Sequence, residues 1–148
     1  LNNFLLNSEI MEHRILIIKS INKEIKNKNI SIQRKLDLYR MRAFLNLEIE
    51  KFNSVISDSN KCLDYLEILN KEKNIPYEIK KIYNNNWISR IFLIRGIAHF
   101  RKGNKKEGTN DFIKSIDIYP KIIKEKTYLI EKLPDHIKST FKYLAALK

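Results

Sequence analysis

Apolar residues recur at three- and four-residue spacing along most of the chain, and that period predicts helices rather than strands. Ile10, Ile17, Ile18, Ile21 and Ile25 form the first stripe. They predict a helix over residues 8–26, with Asn7 and Ser8 as its N-cap. The polar run at 27–32 breaks the stripe and reads as a loop, with Ser31 as the next cap. Leu36, Tyr39, Ala43 and Leu47 predict a helix over 35–48. Val55, Ile56, Ser59, Cys62, Leu63 and Leu66 predict its partner over 52–69. From Pro76 onward, Ile79, Ile82, Tyr83 and Trp87 run in step with Phe92 and Gly96. That predicts one long helix over 76–101, weakest at Asn84, Asn85 and Asn86. Beyond Pro120, residues 121–133 carry Ile122, Ile123, Leu129, Ile130 and Leu133. Residues 135–147 carry Ile137, Phe141, Tyr143, Leu144 and Leu147, and Pro134 divides the two stripes.

Residues 89–120 give the sharpest pattern, a helix, a turn and a second helix. Phe92, Gly96 and Phe100 recur at fourfold spacing, and Gly103 and Asn104 make the turn. Gly108, Phe112, Ser115 and Ile116 follow, and Pro120 ends the second helix. Gly inside a helix costs about 0.5–1 kcal/mol relative to Ala, so Gly96 and Gly108 in one hairpin point to close packing. Phe92, Phe100 and Phe112 are placed to fill the volume between the helices.

This hairpin resembles the tetratricopeptide repeat, a helix pair of about 34 residues. With Ser89 as its first position, Phe92 takes the place of the Trp and Gly96 that of the Gly. His99 and Phe100 fall at the Tyr and its neighbour, Phe112 at the later aromatic and Pro120 at the terminal Pro. Arg95 stands in for the usual Leu. On the same register residues 36–69 form a second copy, with Ala43 at the Gly position and Asp58 aligned with Asp111. Lys19-Ser20-Ile21 matches Lys114-Ser115-Ile116, with Leu1 at the Gly position of a first repeat.

The resemblance implies an all-α fold of antiparallel helix hairpins, a solenoid of about three repeats forming one domain. Residues 1–27 are then a partial first repeat, 36–69 the second and 89–122 the third. Residues 70–88 are an insertion or helix extension, and 123–148 are C-terminal capping helices that cover the last repeat. In this family the first helix of each pair lines a concave groove. The matching positions here are Arg40, Met41, Phe44, Leu47, Arg90, Ile94, Ile97, Phe100 and Arg101, with Asp37, Glu48 and Leu93 beside them. The resemblance thus implies a non-enzymatic adaptor that takes a peptide or amphipathic helix, with an acidic group, from a protein partner. The alternative occupant is the chain's own helix over 135–147. The family's clamp for chaperone C-terminal carboxylates carries over only in degenerate form. Met41 stands where its Asn belongs, Ile94 where its Arg belongs, and Arg90 in place of a Lys.

Charge adds a second reading. The chain has 29 Lys and Arg against 17 Asp and Glu, a net charge of +12. A basic helical-repeat protein bound to RNA or a ribonucleoprotein would draw together Lys19, Lys23, Lys26, Lys28, Lys102, Lys105, Lys106, Lys121, Lys124 and Lys126. Aromatics for base stacking are not interleaved with them, which ranks nucleic acid below a protein partner. A Lys- and Asn-rich composition also fits an AT-rich coding sequence.

Residues with catalytic potential are scattered. His13, His99 and His136 have no second His or Cys at metal-ligand spacing, so no metal is expected. Cys62 occupies a small packing position, and one cysteine permits no internal disulfide. No Gly-rich phosphate loop is present. Neither enzymatic activity nor a cofactor is expected. No apolar run reaches the roughly 18–20 residues of a membrane span. An intracellular, cytoplasmic chain is the expectation, and the start at Leu1 fits loss of a targeting segment.

Overall fold

Ser31 and Asn84 start two helices in the same way. The side-chain oxygen of each accepts the backbone N–H three residues on, from Arg34 and Trp87, at 3.1 Å in both cases. Such caps satisfy a donor that the first turn leaves free. The helices they open are α2 (Ile32–Glu48) and α5 (Asn85–Arg101). Both end through a residue in the left-handed region, Glu50 at φ 62° and Gly103 at φ 91°. The Lys51 N–H then reaches back to the Asn46 carbonyl at 2.8 Å, and the Asn104 N–H to that of His99 at 2.9 Å. The chain folds back as α3 (Phe52–Lys71) after the first turn and as α6 (Lys105–Ile118) after the second.

The computed structural model describes residues 2–131 and 133–147, with side chains apart from those of 2–6, 144 and 145. Leu1 and the side chain of Leu144, both named above, lie outside the described residues. Among the described residues every regular element is helical. The remaining helices are α1 (Asn2–Ile25), α4 (Tyr77–Lys80), α7 (Ile122–Glu125), α8 (Thr127–Ile130) and α9 (Asp135–Ala146).

The two hairpins share their internal bonding, with the Arg, Asp and aromatic positions each recurring 53 residues on. Arg42 pairs with Asp58 across α2 and α3, and Arg95 with Asp111 across α5 and α6. Each guanidinium also lies over an aromatic ring, 5.4 Å from Tyr39 and 5.3 Å from Phe92. Arg42 reaches Asn22 on α1 at 2.8 Å, and Arg95 reaches Asn60 on α3 at 2.9 Å. By that pairing α1 aligns with α3 through Asn22 and Asn60, 38 residues apart, a register four residues away from that of the Lys19-Ser20-Ile21 match.

Close packing in the second hairpin rests on its glycines. A Cβ on Gly108 would stand 3.0 Å from the Gly96 carbonyl oxygen, and one on Gly96 would stand 3.0 Å from Asp111 Cβ. Ser89 and Ser115 exchange hydroxyl-to-carbonyl hydrogen bonds at 2.9 Å across the same interface. In the first hairpin Cys62 takes the place of Ser115, with Sγ 3.9 Å from the Leu36 carbonyl.

Three boundaries differ from expectation. The helix expected over 76–101 is broken, because Asn84 leaves helical geometry (φ −83°, ψ −175°) to cap α5. Asn side chains offer the backbone this competing bond. The break lets Tyr83 bury edge-on against Trp87 at 5.0 Å. The first helix starts at Asn2, so Ser8 lies within it and caps nothing. Residues 121–131 form two single turns rather than one helix. They part at Lys126, where the Thr127 hydroxyl donates to the Ile123 and Lys124 carbonyls at 3.2 and 2.9 Å.

The core runs through both hairpins. Leu36, Cys62, Leu66, Leu69, Trp87 and Ile91 pack where α3 meets α5. Leu93, Ile97, Phe112 and Ile116 pack against Ile122, Leu129, Ile130, Leu133 and Phe141 from α7–α9 and the turn before α9.

Candidate binding groove on α2 and α5

Successive turns of α2 and α5 present Arg40, Phe44 and Leu47 beside Arg90, Ile94 and Ile97. Side chains four residues apart share a helix face, so these residues line a groove. The α8 turn crosses it. Leu129, 3% exposed, packs into the core and lines a cavity on either side of itself.

The first cavity, of about 140 Å³, is lined by Arg40, Phe44, Arg90, Ile94, Lys126, Tyr128 and Leu129. The second, of about 90 Å³, is lined by Leu47, Glu48, Glu50, Ile97, Arg101 and Leu129. Seven of the nine groove residues expected from the sequence therefore line one cavity or the other. The remaining two do not. Met41 stays at the surface, 37% exposed. Phe100 packs inward against Phe112 and His136, with ring centroids 6.4 and 5.9 Å away. Leu93, read as a neighbour of the groove, is fully buried under α7 and α8.

The alternative occupant, the chain's own last helix, lies elsewhere. The helix over 135–147 packs as α9 on α6, with Phe141 edge-on to Phe112 at 5.4 Å. The segment seated in the groove is α8, through Leu129. In the sequence Lys126, Tyr128 and Leu129 stand out only as part of the C-terminal cap. Their signal was the run Lys126–Leu129, a cation followed by Thr, Tyr and Leu, which carries no repeat register.

The two cavities differ in charge. In the second, Arg101 pairs with Glu50 at 2.7 Å, and Glu48 with Arg14 at 3.3 Å. In the first, Arg40 Nε and Arg90 Nε are buried without a hydrogen-bond partner among the described residues. Burial, and then the nearby Arg40 charge, lowers the Arg90 pKa below its usual range. Burial, and then the Arg90 charge, lowers that of Lys126. The Glu125 charge opposes both shifts in part, although its oxygens are hydrogen-bonded to other groups. Glu125 accepts from Asn86 and from the Tyr119 hydroxyl, and Asp37 lies 3.3 Å from the Tyr83 hydroxyl.

Among the described residues no helix is long and apolar enough to cross a membrane. No group of three or more His, Cys, Asp or Glu side chains among them is placed to hold a metal ion. Cys62 is fully buried, and burial raises its thiol pKa well above the usual range. Comparisons with protein-family models, with curated proteins and with solved structures return no match for this chain.

Proposed function

We propose that the chain is a tetratricopeptide-like helical-repeat domain that works as a non-enzymatic adaptor. The parts of the α2 and α5 groove that α8 leaves open, on either side of Leu129, receive side chains from an acidic, amphipathic segment of a protein partner. The observation that carries this reading is the pair of cavities flanking Leu129, where Phe44, Ile94, Leu47 and Ile97 supply apolar walls and Arg40, Arg90 and Arg101 supply cations. Apolar anchors with flanking charge suit helix-in-groove recognition. The recurrence of one hairpin geometry in α2–α3 and α5–α6 supports the repeat assignment.

The test is affinity capture with the tagged chain, followed by the same capture with Phe44→Glu and Arg101→Glu. Both side chains line the groove and are partly or largely exposed. Each variant should keep its helical circular dichroism and lose a stoichiometric partner. Undiminished capture by both folded variants would remove the groove as the site. Ile97→Glu is unsuited to this purpose, because Ile97 is 5% exposed within the core.

A further inference from the structure

Arg14, Arg34, Arg42, Arg95 and Arg101 each hold a carboxylate at 2.6–3.3 Å. Arg40 and Arg90 have no such partner among the described residues, and they share one cavity with Lys126. Three cations from three helical segments converge there, and two of them bury an unpaired Nε–H. Buried donors are satisfied in the great majority of cases, so an unmet pair at one cavity calls for an acceptor. Like charges held together in a partly buried cavity repel, and a bound anion removes that repulsion.

We propose that the Arg40–Arg90–Lys126 cavity is a binding site for a phosphoryl dianion. Cations approaching from α2, α5 and the α7–α8 junction suit a tetrahedral group with oxygens facing several directions. A planar carboxylate offers two oxygens in one plane and one negative charge. Guanidinium groups bind phosphate by charge-assisted hydrogen bonds, and an ammonium adds a point charge. Phe44, Ile94, Tyr128 and Leu129 form the apolar part of the wall, which suits an organic group carrying the phosphate. This inference deepens the reading of the groove as a binding face by naming the group it takes. Anion binding is measured with no partner present, so the two can stand or fall separately.

The experiment is a titration of the whole chain, at constant ionic strength, with phenyl phosphate, a short phosphoserine peptide and benzoate, followed by the Arg Nε–Hε resonances. The Arg40 and Arg90 signals should shift and saturate with the phosphates, at about tenfold tighter affinity than with benzoate. Tighter binding of phenyl phosphate than of the peptide identifies a free phosphate monoester as the source. The reverse order identifies a phosphorylated partner. Arg40→Gln, Arg90→Gln and Lys126→Gln should each weaken phosphate binding about tenfold. Without anion, the same variants should melt at higher temperature than the parent, because each removes one of three repelling charges. The proposal is overturned by benzoate binding as tightly as phosphate, by the absence of saturable shifts, or by lower melting temperatures of the three variants without anion.

Discussion

Arg95 grips Asp111 by two hydrogen bonds, from Nε at 2.9 Å and from Nη2 at 2.8 Å, at an interface where the Asp side chain is 8% exposed. Arg42 and Asp58 repeat this geometry at 2.9 and 2.7 Å. Removing Asp111 leaves the Arg95 charge, 20% exposed and still bonded to Asn60, without its carboxylate, a loss at the lower end of the about 3–5 kcal/mol of a fully buried pair. Asp111→Ala should therefore lower the unfolding free energy by about 3 kcal/mol in urea titrations. The double variant Arg95→Ala/Asp111→Ala should cost less than the sum of the two single changes. Additive losses would show that the pair is not coupled.

Glu50 and Gly103 occupy the same turn position with positive φ, yet only one of them is glycine. A non-glycine residue there costs about 1–2 kcal/mol. The Glu50–Arg101 pair is exposed, and such pairs contribute about 0–1 kcal/mol. Glu50→Gly should therefore stabilise the chain by roughly 1 kcal/mol, and Gly103→Ala should destabilise it by a similar amount. Thermal melts of the two variants should move in opposite directions.

Gly108→Ala tests close packing against helix propensity. Alanine favours the helix by about 1 kcal/mol. Its Cβ would stand 3.0 Å from the Gly96 carbonyl oxygen and 3.1 Å from the Phe100 nitrogen, both backbone atoms that cannot rotate away. Overpacking costs about 1–3 kcal/mol, so the net effect should be a loss of about 1 kcal/mol. A higher melting temperature for Gly108→Ala would contradict the close approach of α5 and α6.

Cys62 gives a prediction in pH. Burial raises its folded-state pKa, so the thiol stays protonated where the unfolded chain ionises, above roughly pH 8.5. The unfolded state then binds fewer protons than the folded state, and stability falls as pH rises past that value. Cys62→Ala should flatten this part of the stability profile. At pH 8 the native thiol should react with a disulfide reagent only as fast as the α2–α3 hairpin opens.

Asn84→Ala removes the cap of α5 and should cost about 1 kcal/mol, whereas Asn84→Ser and Asn84→Asp should keep most of it. Equal stability of all three variants would show that the break before α5 does not depend on the cap.

Much of the fold was legible because helix signals are local. Stripes at three- and four-residue spacing located α2, α3, α5 and α6, and Ser31 was readable as a cap. Gly96 and Gly108 marked the closest helix contact, and the alignment of Asp58 with Asp111 marked two equivalent carboxylates. Asn84 was legible only as a weak point, because its side chain competes with a stripe that runs straight through it. The correspondence of Glu50 with Gly103 left no sequence signal, since Glu is an ordinary helix former forced into a turn conformation.

By itself, the sequence determined α2, α3 and α6 and most of the residues that line the two cavities on α2 and α5. The tertiary structure decided what meets that groove. Leu129 sits in it rather than α9, and Lys126 joins Arg40 and Arg90 at one cavity. These residues are far apart along the chain and belong to no common period. Their meeting depends on how α7 and α8 turn back over the second hairpin, driven by burial of Ile122, Leu129 and Ile130. Burial is non-directional, so no local pattern encodes which cations it brings together.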